Sequence, residues 1–113
     1  MGIKVIDELP RTEKNERMEQ LKANLREIIE KRIPVCEITD PPYPNSVMRE
    51  RLLTAIRKTI WEYAEKDKYG HKKVPVVALD IHSRTIEGKK HWYITFDVNK
   101  WTEEWERFRE ENR

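Results

Sequence analysis

The stretch KVPVVALDIHSRTIEGKKHWYITFDVNKW, residues 73–101, predicts a β-hairpin around which the rest of the chain is organised. We expect strands over 74–86 and 89–98, joined by a two-residue turn at Glu87 and Gly88. Because side chains alternate across a strand, this register sorts the hairpin into two faces. The apolar face, a predicted core wall, comprises Val77, Leu79, Ile81, Trp92, Ile94, Phe96 and Val98. The polar face, a predicted working surface, comprises Asp80, His82, Arg84, His91, Tyr93, Thr95 and Asp97.

Length and composition indicate one α+β domain spanning residues 1–113. Charged residues make up 39% and hydrophobic residues 37%, yet the hydrophobic ones are strongly periodic, which argues against disorder. A net charge of +2 indicates neither a nucleic-acid binder nor an acidic mimic, so only local clusters can carry such a function. The single Cys36 excludes an intramolecular disulfide. With no apolar run near ~18 residues and no signal peptide, we expect a cytoplasmic protein without membrane contact.

Three amphipathic helices are expected to cover the apolar face of a small antiparallel sheet. They span about 12–32, 46–67 and 100–111, with Thr12, Asn45 or Ser46, and Asn99 as N-caps. The prolines between residues 40 and 44 separate the first two helices, because proline fixes its own backbone and extends the residue before it. A short strand near 35–38 joins the hairpin, and residues 1–10, which stop at Pro10, form an arm or an edge strand.

Two residues of the second helix break its amphipathic pattern. Arg49 falls inside the apolar arc, either because the arc has run past the sheet edge or because the guanidinium grips a phosphate or carboxylate. Trp61 falls outside the arc, and an indole in water forgoes contacts that it could make elsewhere. We therefore expect Trp61 to meet another element or another subunit.

An aromatic stripe marks the last helix, where Trp101, Trp105 and Phe108 lie at i, i+4 and i+7 among charged residues. A helix this short is marginal alone, so the stripe must be buried against something. It either docks on its own domain, near Trp61, or enters a second subunit or the groove of a protein partner.

Enzymatic chemistry receives weaker support. Asp80 and Asp97 lie diagonally on the polar face and could share a metal ion with His82 or His91, as a nuclease requires, but no known ligand spacing is present. His82 lies opposite Tyr93, but no nucleophile accompanies this pair. We therefore assign no catalytic residue, metal or cofactor, and regard an enzyme as less favoured than a binding protein.

A nucleic-acid surface is the favoured interpretation. Lysine and arginine attract phosphates, and an aromatic ring on a sheet can stack on an unpaired base. The candidate residues are Arg49, Arg57, Lys58, Lys72, Lys73, Arg84, Lys89, Lys90, His91 and Tyr93. Nearby acidic side chains dilute this field, namely Glu50, Glu62, Asp80, Glu87 and Asp97.

The sequence thus predicts a small non-enzymatic regulatory or adaptor protein that binds DNA or RNA through its basic, aromatic-bearing hairpin. The alternative is a protein-interaction module, an inhibitor or assembly factor or a homodimer. Its contact residues would be Trp61, Trp101, Trp105 and Phe108. The two hypotheses differ in their response to salt, because phosphate binding weakens steeply as the salt concentration rises.

Overall fold

A computed structural model describes the backbone of residues 2–113 and the side chains from Glu16 onward. Three helices and a small antiparallel sheet confirm the α+β class. In chain order the elements are α1 Gly2–Lys31, β1 Val35–Ile38, α2 Asn45–Trp61, β2 Glu65–Lys66, β3 Lys72–Lys73, β4 Leu79–Ile86, β5 Lys89–Phe96 and α3 Val98–Glu111. Within the described part of the chain, none of these helices combines the length and apolarity needed to cross a bilayer.

The hairpin register agrees with the prediction. Ile86 pairs with Lys89 across a two-residue turn, and His82 pairs with Tyr93. Both turn residues have positive φ, 51° at Glu87 and 77° at Gly88, as the tight hairpin turn that matches strand twist requires. The strand β5 lies in the middle of the sheet, between β1 and β4, and pairs antiparallel with both.

Both ends of the hairpin are shorter than predicted. Residues 74–78 lie outside the sheet, because the chain takes an irregular path around Pro75, which has no N–H to donate. Val77 is consequently 53% exposed and not part of the core wall. At the other end Val98 opens α3. The carboxylate of Asp97 accepts the Lys100 N–H at 3.0 Å, so Asp97 caps this helix in place of Asn99.

The helix α1 begins at Gly2, so an edge strand over residues 1–10 is wrong, and Thr12 is not the N-cap. Pro10, used in the prediction as a stop, falls within the helix. The predicted end near residue 32 is confirmed, since Arg32 takes a positive φ of 54° directly after Lys31.

The helix α2 ends at Trp61 and not near residue 67. Its last turn tightens, because the N–H groups of Glu62 and Tyr63 bond to carbonyls only three residues back, and Glu65 then pairs with Lys73 across β2 and β3. At its start Pro44 occupies the N-cap position without a side-chain bond. The Asn45 side chain instead accepts the Trp92 Nε1 hydrogen at 3.1 Å.

The core lies between the apolar face of the sheet and the helices. The sheet contributes Leu79, Ile81, Trp92, Ile94 and Phe96, all buried. The helices α1 and α2 contribute Leu21, Leu25, Ile28, Met48, Leu52 and Ile60. Trp101 and Trp105 of α3 join the same cluster, so these two rings of the aromatic stripe pack within their own chain.

Candidate nucleic-acid interface

The polar face of the sheet is open to solvent, with Tyr93 half-buried at its centre. His82 on β4 and Glu37 on β1 flank this ring, because each is the direct pairing partner of Tyr93 in the register. Asp80, His82 and Arg84 are exposed along β4. Alternation along β4 and β5 therefore produces the surface that the sequence predicts.

The centre of this open face is not cationic, because carboxylates stand beside its histidines. His91 Nδ1 lies 2.8 Å from Glu37 Oε1. His82 Nε2 lies 3.2 Å from Thr95 Oγ1 and 3.7 Å from the Asp80 carboxylate. A phosphate backbone would be attracted to the basic hairpin end more than to this centre.

The basic end of the hairpin carries Arg84, Lys89 and Lys90, all exposed. Lys90 Nζ lies 5.3 Å from the centroid of the Trp92 ring, a cation–π contact. Neither Arg84 nor Lys89 forms an ion pair with any of the described side chains. Their charges are therefore available to a ligand.

The other basic residues predicted for this surface do not all lie at the basic end of the hairpin. The eight residues of β4 extend about 23 Å at ~3.3 Å per residue, and Lys73 lies before that strand while Lys89 lies after it. The helix α2 runs along the same length, since Asn45 contacts Trp92 and Trp61 lies beside Val77. Lys72 and Lys73 therefore lie at the other end of β4 from the hairpin turn.

The cations form two groups at opposite ends of β4. The hairpin-end group comprises Arg49, Arg84, Lys89 and Lys90. His91, also predicted for this surface, is bound to Glu37 and is not counted as a free cation. The cleft group comprises Arg57, Lys58, Lys72 and Lys73. This second group takes its name from a cleft of about 310 Å³ lined by Arg57, Ile60, Trp61, Val74 and Val77.

Two acidic residues near the cleft are held by arginines from other helices. Glu62 receives two hydrogen bonds from Arg26 of α1, at 2.7 and 2.9 Å, and Glu65 receives two from Arg109 of α3, at 3.2 and 2.6 Å. These bonds lower the pKa of both carboxyl groups. The acids are therefore already neutralised, and no cleft-group cation forms an ion pair in the described part of the structure.

Charge is also distributed unevenly along the sequence. Residues 45–93, which contain both groups, carry eleven basic and six acidic side chains, a net charge of +5. The rest of the chain carries twelve basic and fifteen acidic side chains, a net charge of −3. The small total of +2 conceals this division.

The four aromatic residues predicted for partner contact differ in how far they are exposed to solvent. Trp101 and Trp105 are 7% and 4% exposed, and Phe108 is half-buried against them. Each ring meets the next edge-to-face at 5.7 Å. Trp61, by contrast, is 58% exposed, so it alone of the four presents most of its indole to solvent.

The two aspartates considered for metal binding, Asp80 and Asp97, line one cleft of about 420 Å³, but each is bonded to a backbone N–H group. Asp80 Oδ1 accepts the Ile81 N–H at 2.8 Å, and Asp97, which lies beyond the end of β5, caps α3. Among the side chains that the structure describes, no three His, Cys, Asp or Glu residues are arranged to hold a metal ion.

The cleft is the feature that sequence reasoning missed. Val74 and Val77 had been placed in the first hairpin strand, where an apolar side chain predicts burial. Pro75 was the available signal, since proline is excluded from the middle of a paired strand. Comparison with protein-family models, with curated proteins and with solved structures finds no match to this chain.

Proposed function

We propose that this chain is a small non-enzymatic adaptor or regulatory protein that binds nucleic acid along the side formed by α2 and β4. The observation that carries the proposal is a set of exposed cations without ion pairs at both ends of that side. They are Arg49, Arg57, Lys58, Lys72, Lys73, Arg84 and Lys89. When unpaired cations of a protein bind phosphates, the counterions condensed on the nucleic acid are released, and this release drives association.

Most of the described basic residues in or directly after α1 and α3 supply the contrast, although Arg32 and Lys100 form no ion pair with a described side chain. Lys31 pairs with Glu27, Arg107 with Glu104 and Arg113 with Glu110, each over a single helical turn. A cation already paired in this way offers less net charge to a phosphate. The distribution of pairing therefore favours the α2–β4 side over the rest of the surface.

Salt dependence provides the first test. If about four phosphates are contacted, the logarithm of the association constant should fall with the logarithm of salt concentration with a slope of about −3 to −4. Fluorescence anisotropy of fluorescein-labelled mixed-sequence oligonucleotides, single-stranded and duplex, at about 50 and 200 mM salt would measure this slope.

Two charge-reversal variants, one at the proposed surface and one elsewhere, locate the binding surface. One variant carries Arg84→Glu, Lys89→Glu and Lys90→Glu. The control carries Lys31→Glu, Arg107→Glu and Arg113→Glu, which changes the net charge equally but in and next to α1 and α3. We expect the first to weaken binding tenfold or more and the control to change it much less, because Lys31, Arg107 and Arg113 are already paired with carboxylates and offer less net charge to a phosphate. No binding by the native chain at about 50 mM salt, or equal losses in both variants, would refute the proposal.

One observation favours the second candidate, a protein-interaction module. The exposed indole of Trp61 belongs to a residue type enriched at binding hot spots. This candidate rests on Trp61 and no longer on the buried rings of Trp101 and Trp105. It predicts association that changes little with salt and a molar mass in solution that Trp61→Ala reduces to that of the monomer.

A further inference from the structure

We propose that the cleft beside Trp61 receives an unpaired nucleobase, which makes single-stranded nucleic acid, and not duplex, the partner of this chain. The inference rests on the proposed nucleic-acid function and names the substrate class within it. It is carried by three features of the cleft, namely its shape, its anchoring and the charges at its rim.

The shape of the cleft suits a flat ring. The Trp61 indole is 58% exposed and Val77 is 53% exposed, and both line the cleft together with Val74. A nucleobase presents two apolar faces, so it can lie on an indole and against aliphatic side chains, in a contact that tolerates every base. A volume of about 310 Å³ is small for a ligand site and sufficient for one ring system.

The apolar wall of the cleft is held in place before any ligand arrives. Val76 and Ala78 are buried, so Val77 between them is directed outward. The Asp97 N–H donates to the Ala78 carbonyl at 2.8 Å, which ties this segment to the end of β5. Opposite it, Trp61 is the last residue of α2, whose preceding residue Ile60 is buried in the core. Preorganisation of this kind reduces the entropy lost on binding.

The charges at the rim distinguish a nucleic acid from a protein partner. Arg57 lines the cleft itself, Lys58 follows it on the helix, and Lys73 precedes the lining residue Val74. Glu62 and Glu65, which would otherwise offset these cations, are bound to arginines of α1 and α3. An apolar cleft with a cationic rim matches a base that carries a phosphate on each side. Duplex DNA cannot use the cleft, because its bases are stacked inside.

Removal of the indole tests the proposal. The variants are Trp61→Ala and Trp61→Phe, and the matched control is Tyr69→Ala, which removes another exposed ring, 74% exposed, outside the cleft. The probes are a fluorescein-labelled oligothymidylate of about 12 nucleotides and a duplex of equal length, at about 50 mM salt. We expect the native chain to bind oligothymidylate more tightly than the duplex. Trp61→Ala should weaken oligothymidylate binding about 5- to 150-fold, the equivalent of one lost stacking contact, and leave the weaker duplex binding unchanged. Trp61→Phe and Tyr69→Ala should retain most of the single-strand affinity.

The outcomes separate this inference from the proposed function. If Trp61→Ala leaves oligothymidylate binding intact while the Arg84, Lys89 and Lys90 reversal abolishes it, the stacking site is refuted and the nucleic-acid function stands. If Trp61→Ala weakens single-strand and duplex binding equally, the stacking site is likewise refuted. If Trp61→Ala converts a dimer into a monomer, the cleft is an interface between two copies. If the native chain binds neither probe, both proposals fail.

Discussion

Replacing Trp101 by alanine should lower the free energy of unfolding by about 3–5 kcal/mol, the range for deleting a buried aromatic side chain. The structure supports the upper part of that range. Trp101 is 7% exposed. The centroid of its ring lies 5.7 Å from the ring centroids of Phe96 and Trp105 and 6.0 Å from that of Tyr63, and each pair meets edge-to-face. Such ring pairs contribute about 0.5–1.5 kcal/mol each beyond the area that they bury. This change tests whether α3 docks on its own chain.

Urea denaturation followed by far-ultraviolet circular dichroism measures the loss. Trp61→Ala is the control, since it removes the same side chain from a position that is 58% exposed, and we expect it to cost about 1 kcal/mol or less. A loss near 5 kcal/mol could leave the alanine variant largely unfolded, because a small domain has a total stability of about 5–15 kcal/mol. The free energy of unfolding of Trp101→Phe, which keeps a ring, should therefore lie between those of the native chain and Trp101→Ala.

Equal stability of Trp101→Ala and Trp61→Ala would refute the docking of α3 on its own chain. That result would mean that the aromatic stripe is not packed as the structure describes, and that it is free to contact a partner. If instead the loss at Trp101 appears only at protein concentrations that support a dimer, the indole would be buried between subunits.

Three further predictions concern local features. Asp97→Ala should destabilise the chain by about 0.5–2 kcal/mol in urea, because it removes the N-cap of α3, whereas Asp97→Asn should retain most of the stability. Glu87→Asn should raise the melting temperature by a few degrees, because asparagine tolerates the positive φ of 51° better than glutamate. Arg26→Ala should destabilise at neutral pH but little in acid. The bond from Arg26 lowers the pKa of Glu62, so its stabilisation is present above the ordinary glutamate pKa of about 4.3 and is lost as the pH falls through the lower folded value. An Arg26→Ala deficit that does not shrink in acid would contradict this assignment.

The hairpin could be predicted from sequence because its signals are local. Alternation with period two fixes which side chains share a face, and the Glu87–Gly88 pair fixes the turn, so the two together determine the register. The short strand β1 was predicted at its observed bounds of Val35–Ile38 for a similar reason, since prolines limit it on both sides. Alternation predicts which side chains form the polar face, whereas its exposure to solvent is visible only in the folded chain.

Features that depend on distant residues could not be predicted in this way. Arg26 and Glu62 are 36 residues apart, and Glu65 and Arg109 are 44 apart, so no local spacing indicates either pair. The sequence pattern predicts a strand at Val77, but the irregular path of the chain around Pro75 leaves this residue outside the sheet. The predicted end of α2 near residue 67 is wrong for a related reason, since Glu65 and Lys66, which the prediction places in the helix, pair with Lys73 and Lys72 of another strand.

These distant pairs bear directly on the proposed function. Counted along the sequence, Glu62 and Glu65 reduce the charge near Arg57 and Lys73, and the net charge of +2 leaves little electrostatic reason for a nucleic acid to bind. In the folded chain α1 and α3 each bring an arginine to one of these acids, so the same contacts that join the helices also remove the opposing charge from the cleft. Tertiary structure therefore strengthens, at the cleft, a positive charge that residues 45–93 already carry in the sequence, where their net charge of +5 includes Glu62 and Glu65.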